Sequence, residues 1–196
     1  YPTPYLWGTV VPYDQMVELS GQELPDAIRA LESYMKVEFH GLLSIEYGGG
    51  NTGVAMAAAA HMGKYMVDAD AAGRAVPELQ FSTYYIREQP IAPFSVSTIY
   101  GDAVIVQKVA DDARAEALSR FMAVGSGGLV GMADHPIRGD RLRTSVIPNA
   151  LSYAEQVGRA RRLACESGGD PIQAILGAGG GQLLYQGTVT PDTHWE

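Results

Sequence analysis

The sequence has 196 residues, of which 46% are hydrophobic and 18% are charged. This length and composition predict one globular domain and exclude a disordered chain. The formal net charge of −8 argues against nucleic acid as a partner. The most apolar stretch, Val54 to Met62, is far shorter than the roughly 20 residues of a membrane helix, so no membrane span is expected.

Two further features bear on location and completeness. Cys165 is the single cysteine and cannot form an intrachain disulfide, which favours a cytoplasmic protein. The chain starts at Tyr1 without an initiator methionine or a signal peptide. We therefore interpret residues 1–196 as a single α/β domain that is a fragment or subunit of a longer protein.

The first part of the chain predicts alternating strands and helices. Leu6 to Val11 predicts a strand near an edge, and a helix with recurring apolar positions is predicted to open at Pro25. Gly41 to Tyr47 predicts a strand, the alanine-rich Asn51 to Met62 a helix, and Tyr65 to Asp68 another strand. This order is typical of a βαβ unit, whose two strands are parallel.

Later segments predict elements added to this unit. Phe81 to Ile86 and Ala103 to Val109 predict antiparallel or edge strands, because prolines and a glycine rather than a helix separate them. The other predicted elements are helices over Asp111 to Val124 and after Asn149, a helical turn over Pro171 to Leu176 and a strand over Gln182 to Val189. The predicted fold is α/β, a mixed sheet with a parallel βαβ core flanked by helices, plus added antiparallel or edge strands.

Carboxylates follow both strands of the predicted βαβ unit. Glu46 lies at the end of the first strand, and Asp68 and Asp70 lie at the end of the second, with Arg74 shortly after. Ligands gather outside the carboxyl ends of parallel strands, so these side chains are expected on one rim. One aspartate could act as general base, or the carboxylates could share a divalent cation. The alternative is an Asp-rich loop in which Arg74 is paired with a carboxylate for structure.

A glycine run opens the helix of the same unit. Gly48, Gly49, Gly50 and Asn51 could present backbone N–H groups to a carbonyl oxygen at the helix N-terminus. The spacing fits neither the dinucleotide fingerprint nor the P-loop. The alternative is a tight turn with Asn51 as the N-cap.

The histidines and the cysteine give weaker signals. No close metal-ligand pair occurs among the histidines, which are His40, His61, His135 and His194. Each is interpreted as structural or exposed, although folding could bring His135 to the rim. Cys165 lies late in a predicted helix and is interpreted as a buried, inert thiol.

Two motifs carry a resemblance to a known family. The segment Ile45 to Asn51, then the alanine-rich helix and the run Val67 to Gln80, resemble the S-methyl thiohydantoin desulfurase family. The resemblance extends through the helix from Pro148 to Arg162. Ala71 and Ala72 stand where the family usually has glycine and methionine.

This resemblance implies a hydrolase acting on a hydantoin or S-methyl thiohydantoin-like cyclic ureide, with loss of methanethiol in the namesake reaction. Water would attack the carbon between the ring nitrogens, activated by Asp68 or Asp70 with or without a divalent metal ion. Arg74 would hold the developing anion, and Glu46 or Glu78 would protonate or hold a ring nitrogen. The amides of Gly48 to Asn51 would bind a carbonyl oxygen.

The resemblance also leaves a second function open. Family members carry an N-terminal glycine-rich segment and a C-terminal β-rich domain, and the chain is expected to lack the former and to end before the latter. The alternative is therefore a non-catalytic binding or assembly subunit of a hydantoinase or oxoprolinase-type complex. A homo-oligomer or a partner subunit is expected in either case.

Overall fold

A computed structural model describes residues 1–188, except for the side chain of Tyr13. The chain forms two compact units, Tyr1–Leu151 and a second unit that begins at Ser152. The strands are β1 (Thr3–Gly8), β2 (Gly41–Leu43), β3 (Tyr65–Val67), β4 (Ala69–Asp70), β5 (Phe94–Ser97), β6 (Ala103–Val106), β7 (Leu129–Asp134) and β8 (Ile147–Pro148). The helices are α1 (Glu23–Met35), α2 (Gly50–His61), α3 (Thr83–Ile86), α4 (Asp112–Val124), α5 (Gly139–Ser145), α6 (Ala150–Glu166) and α7 (Pro171–Gly179).

The largest sheet has four antiparallel strands in the order β1-β7-β5-β6. Thr3 pairs with Asp134 at one end of β1, and Ser95 pairs with Ala133 between β5 and β7. Side chains alternate between the two faces of a strand, so each face needs its own cover. On one side the sheet packs against an apolar cluster that includes Ala115 and Ala123 of α4.

Helix α1 covers the other face. Its apolar side chains are fully or almost fully buried and pack with Ala133 of β7; they are Leu24, Ala27, Ile28 and Leu31. The backbones come especially close at Gly131, where an added Cβ would lie 2.3 Å from the Glu23 carbonyl oxygen. Ser95 strengthens the contact, because its hydroxyl donates to the Ala27 carbonyl at 2.6 Å.

The predicted βαβ unit is present. Strands β2 and β3 are parallel, with Gly41 opposite Tyr65 and Leu43 opposite Val67, and α2 connects them. They form a separate two-stranded sheet, whereas the larger sheet is antiparallel. The parallel unit therefore exists, but the prediction of a parallel core holds only in part.

Other predicted elements differ from the structure. The strand predicted over Phe81 to Ile86 is wrong: Thr83–Ile86 is helix α3, whose first turn is capped because the Ser82 hydroxyl accepts from the Tyr85 amide. The strand predicted from Ala103 is confirmed as β6 at the sheet edge. Strands β5 and β7 were not predicted.

The described part of the second unit contains most of α6 and all of α7, followed by residues 181–188 without helix or strand. Within it, the Tyr153 hydroxyl donates to the Gly179 carbonyl at 2.9 Å, which joins α6 to α7. Cys165 is exposed, so the prediction of a buried thiol is wrong. Residues 182–188 form no strand, and Val189, the last residue of that predicted strand, lies outside the described residues. No helix within residues 1–188 is long and apolar enough to cross a membrane.

Candidate functional site

The Asp70 carboxylate, at the end of β4, joins the loop that follows β2 to the loop that follows β4. The Asp70 side chain is buried. Its oxygens accept hydrogen bonds from the backbone amides of Glu46 at 2.9 Å, Ala72 at 3.1 Å and Gly73 at 2.8 Å, with the Tyr47 amide at 3.5 Å. A carboxylate has about four acceptor positions, and these four amides occupy that number. Asp70 thus fixes the geometry of the rim.

Asp68 lies on the same rim, directly after β3. It is half-buried, and its Oδ1 accepts from the Leu151 amide at 2.9 Å in the first turn of α6. Its carbonyl accepts from the Asn149 amide at 2.9 Å. These bonds fix the position of the carboxylate that the sequence placed at the strand end.

Tyr47 is a rim residue to which the sequence analysis assigned no role. Its hydroxyl donates to the Ala69 carbonyl at 2.8 Å. Burial, together with the charges of Asp70 and Asp68, raises the pKa of Tyr47 to about 12. The hydroxyl therefore stays protonated at neutral pH, and its one proton is held by the Ala69 carbonyl. The position of Tyr47 beside Glu46 in the motif was the available signal.

Glu46 lies three residues beyond the end of β2, with a left-handed backbone at φ 52°. Its Oε1 accepts from the Asn51 side-chain amide at 2.5 Å, and its Oε2 accepts from the Val76 amide at 2.8 Å. The Asn51 oxygen accepts from the Leu6 amide at 3.0 Å. Glu46 thus connects β1, α2 and the segment after Gly73.

The glycine run is exposed at the start of α2. Helix α2 begins at Gly50 with Gly49 as its N-cap and no side-chain cap. Asn51 lies inside the first turn, so the alternative in which Asn51 is the N-cap is wrong. The Gly48 amide donates to the Thr52 hydroxyl at 3.3 Å.

Arg74 and Glu78 lie on the segment that follows. Arg74 is exposed, donates to the Ala75 carbonyl at 2.9 Å and lies 6.0 Å from the centre of the Phe81 ring. Glu78 is half-buried and accepts from the Gln80 side-chain amide. The structure thus places Arg74 as a solvent-facing cation next to the rim.

A buried ionic cluster lies at the end of β7. The His135 Nδ1 lies 3.0 Å from Asp134 Oδ1, and its Nε2 lies 3.8 Å from Asp112 Oδ2. The imidazole stacks on the Tyr84 ring with 4.3 Å between centres, and the Tyr5 hydroxyl donates to Asp134 at 2.6 Å. The sequence left open that folding brings His135 to the rim. The structure instead places His135 buried within this cluster.

The cluster has a definite charge state. Burial alone would lower the pKa of His135, but the carboxylates of Asp134 and Asp112 raise it to about 9. The imidazole therefore carries a positive charge at neutral pH, balanced by its two carboxylate neighbours. Burial and Asp134 also raise the pKa of Tyr5 well above its ordinary value.

The rim does not fit a divalent cation. Metal ions need oxygen atoms with free lone pairs, and the oxygens of Asp70 already accept from backbone amides. Across residues 1–188, no three His, Cys, Asp or Glu side chains are grouped so that they could hold a metal ion.

The fold and the rim define a mixed α/β protein with polar groups gathered at the ends of a short parallel strand pair. The family model described as S-Me-THD-like, N-terminal domain, matches residues 3–108, and the S-Me-THD-like, C-terminal domain model matches residues 110–196. The chain belongs to the S-Me-THD-like family, as its motifs predicted. The second match assigns residues 110–196 to the C-terminal domain model, a region that the sequence patterns alone did not assign to that domain.

A solved structure is similar to this fold. It is a crystal structure of a protein from Chromobacterium violaceum, with a TM-score of 0.70 and 24% identity. The similarity covers 90% of this chain and 49% of that chain, so this chain spans about half the length of that protein. No curated protein matches the sequence.

Proposed function

We propose that the rim belongs to a hydrolytic site for a hydantoin-like or S-methyl thiohydantoin-like cyclic ureide. The observation that carries the proposal is the hydrogen bond from the Glu46 amide to Asp70, which joins the loop after β2 to β4, and Asp68 is the residue between β3 and β4. Membership of the S-Me-THD-like family supports the substrate class.

In the proposed reaction Asp68 removes a proton from water as the water oxygen attacks the carbon between the ring nitrogens. The tetrahedral intermediate collapses to a carbonyl and expels the methylthio group, which leaves as methanethiol after taking a proton. Water and S-methyl thiohydantoin thus give hydantoin and methanethiol. Asp70 is assigned a positioning role, because its oxygens hold backbone amides.

The other predicted site residues have supporting roles in this proposal. Arg74, an exposed cation, would stabilise the negative charge that develops on the ring. Glu78 would accept a ring N–H. The exposed amides at Gly49 and Gly50 would bind a ring carbonyl oxygen, since N–H groups at a helix start lack partners within the helix. Glu46 would hold the surrounding segments in place.

Asp68→Asn tests the base directly. Asparagine keeps an oxygen that can accept from the Leu151 amide, so the circular dichroism spectrum should not change. Methanethiol release from S-methyl thiohydantoin should fall by about 10²-fold or more, because amides are not bases. Asp26→Asn, at an exposed ion pair on α1, is the matched control. Near-normal turnover in Asp68→Asn would rule out the assigned base.

A binding or assembly subunit is the second candidate. It is favoured by the 49% coverage of the Chromobacterium violaceum chain, because about half of that protein lies outside the matched region. Size-exclusion chromatography of the native source, with mass spectrometry of co-eluting proteins, distinguishes the two. A stable heteromeric complex supports the subunit, and an active chain of one kind, alone or as a homo-oligomer, supports the enzyme. A cytoplasmic location is part of both proposals.

A further inference from the structure

Segment 74–80, which we call the strap, is held by two carboxylates, one in the loop after β2 and one on α4. It contains no helix or strand. Near its start the Val76 amide donates to Glu46 Oε2 at 2.8 Å, and near its end the Leu79 amide donates to Glu116 Oε2 at 3.2 Å. Irregular segments that lack such anchors open readily, so these two bonds fix the strap.

Glu116 is itself firmly held. It is a buried residue of α4 and forms an ion pair with Arg120 one turn later. Arg120 also donates to the Pro77 carbonyl of the strap at 3.4 Å, and its guanidinium lies 5.4 Å from the centre of the Trp7 ring. Glu116 and Arg120 together therefore hold two strap residues, Leu79 and Pro77, both of which follow the Val76 amide that binds Glu46.

The pKa of Glu116 lies above its ordinary value, although its surroundings act on it in both directions. Burial raises the pKa of Glu116, the Leu79 amide and Arg120 oppose that rise, and the charge of Glu78 adds to it. Glu78, a strap residue to which a substrate contact is assigned, is thus electrostatically coupled to the anchor. The strap also carries Arg74, so its position determines where both charged side chains lie.

We propose that Glu116 is a positioning residue that holds the strap so that Arg74 and Glu78 can engage a cyclic ureide. This inference rests on the proposed function for the identity of the ligand. The physical basis is that a buried acceptor removed from a backbone N–H leaves that donor unpaired, which favours local opening of the segment.

The test uses the full chain and two readouts. Glu116→Ala should raise the hydrogen exchange rate of the strap amides by about tenfold and weaken hydantoin binding by about tenfold in calorimetric titration. Glu116→Gln keeps an oxygen for the Leu79 amide and should restore most of both properties. Asp26→Ala, which removes an exposed ion pair on α1, should alter neither.

The outcomes are separable. Unchanged strap exchange in Glu116→Ala would overturn the anchor role, and faster exchange with unchanged hydantoin affinity would overturn the positioning role. If the wild type shows the slow strap exchange but binds no hydantoin, the proposed function fails and the ligand-positioning role fails with it. If Glu116→Ala does not fold, Glu116→Asp is used instead. Its side chain is one methylene shorter, so the carboxylate lies farther from the Leu79 amide. Strap exchange and hydantoin affinity should then change in the same direction as in Glu116→Ala, by smaller amounts.

Discussion

The backbone amide of Glu46 donates to the Asp70 carboxylate at 2.9 Å, and this bond joins the loop that follows β2 to β4, the short strand directly after β3. The carboxylate is buried and receives further amides from Ala72 and Gly73. Replacing a buried aspartate that accepts from several backbone amides destabilises the folded state, whether or not the residue takes part in catalysis.

Asp70→Asn should therefore lower the free energy of unfolding by about 2–4 kcal/mol, because the asparagine NH₂ would face backbone N–H donors. Urea denaturation monitored by circular dichroism measures the change. Asp26→Asn is the control, since Asp26 lies in an exposed pair with Arg29, and its effect should stay within about 0.5 kcal/mol. Equal midpoints for Asp70→Asn and the wild type would contradict the structural role.

The sequence predicted the βαβ unit because its pattern is local. An apolar run, three glycines and an alanine-rich stretch specify strand, turn and helix within Gly41 to Val67, and the parallel pairing follows from that order. Strand β7 gave no such signal, because Gly131, Ala133 and Asp134 are residue types that are depleted in strands. Its pairing with β1 and β5 is set by tertiary contacts that no local window contains.

The candidate site was predictable to a similar extent. Strand ends located Glu46 and Asp68 near one another, and the structure places both in the loops joined by Asp70. The amides that occupy Asp70 and the anchoring of Val76 by Glu46 depend on loop conformation, which residue type alone does not determine. The same holds for Glu116, which lies 37 residues from its partner Leu79.

The close approach of β7 to α1 gives a steric prediction. An added Cβ at Gly131 would lie 2.3 Å from the Glu23 carbonyl oxygen, so Gly131→Ala forces the backbones apart. We expect a loss of about 3 kcal/mol or more in unfolding free energy. Gly53→Ala in α2 is the control: no atom lies within 4 Å of its added Cβ, and it should stabilise by about 0.5–1 kcal/mol. Thermal unfolding of both variants measures these changes. A Gly131→Ala variant as stable as the wild type would contradict the close contact between β7 and α1.

The ion pair between Lys64 and Glu32 is largely shielded from solvent, with side chains 6% and 17% exposed and 2.7 Å between Nζ and Oε1. Lys64 also donates to the Phe39 carbonyl at 2.9 Å. Lys64→Ala should cost about 3 kcal/mol, because it leaves a shielded carboxylate without its cation. Arg29→Ala removes an exposed partner of Asp26 and should cost no more than about 0.5 kcal/mol. Similar losses in the two variants, measured by urea denaturation, would show that shielding has no effect on this pair.

The His135 cluster predicts a fall in stability on the alkaline side. Asp134 and Asp112 raise the pKa of His135 to about 9 against the lowering effect of burial, whereas an unfolded histidine titrates near 6.5. Protonation therefore favours the folded state. Its contribution is complete below about pH 6.5 and is lost progressively as the pH rises through about 9. Over that window the unfolding free energy should fall by roughly 3 kcal/mol from this group.

His135→Gln isolates this contribution, because other groups that titrate in the same window remain in both proteins and cancel in the comparison. The variant loses the imidazolium that balances Asp134 and Asp112, so it should be less stable than the wild type at pH 6. The difference between the two proteins should then shrink as the pH approaches 9 and the wild-type imidazole loses its proton. Urea unfolding at pH 6, 7.5 and 9 measures it. A difference that stays constant across these pH values would mean that folding does not change the pKa of His135, and a difference that grows between pH 6 and 7.5 would mean that the folded imidazole is neutral. Either result would overturn the ionic description of the cluster.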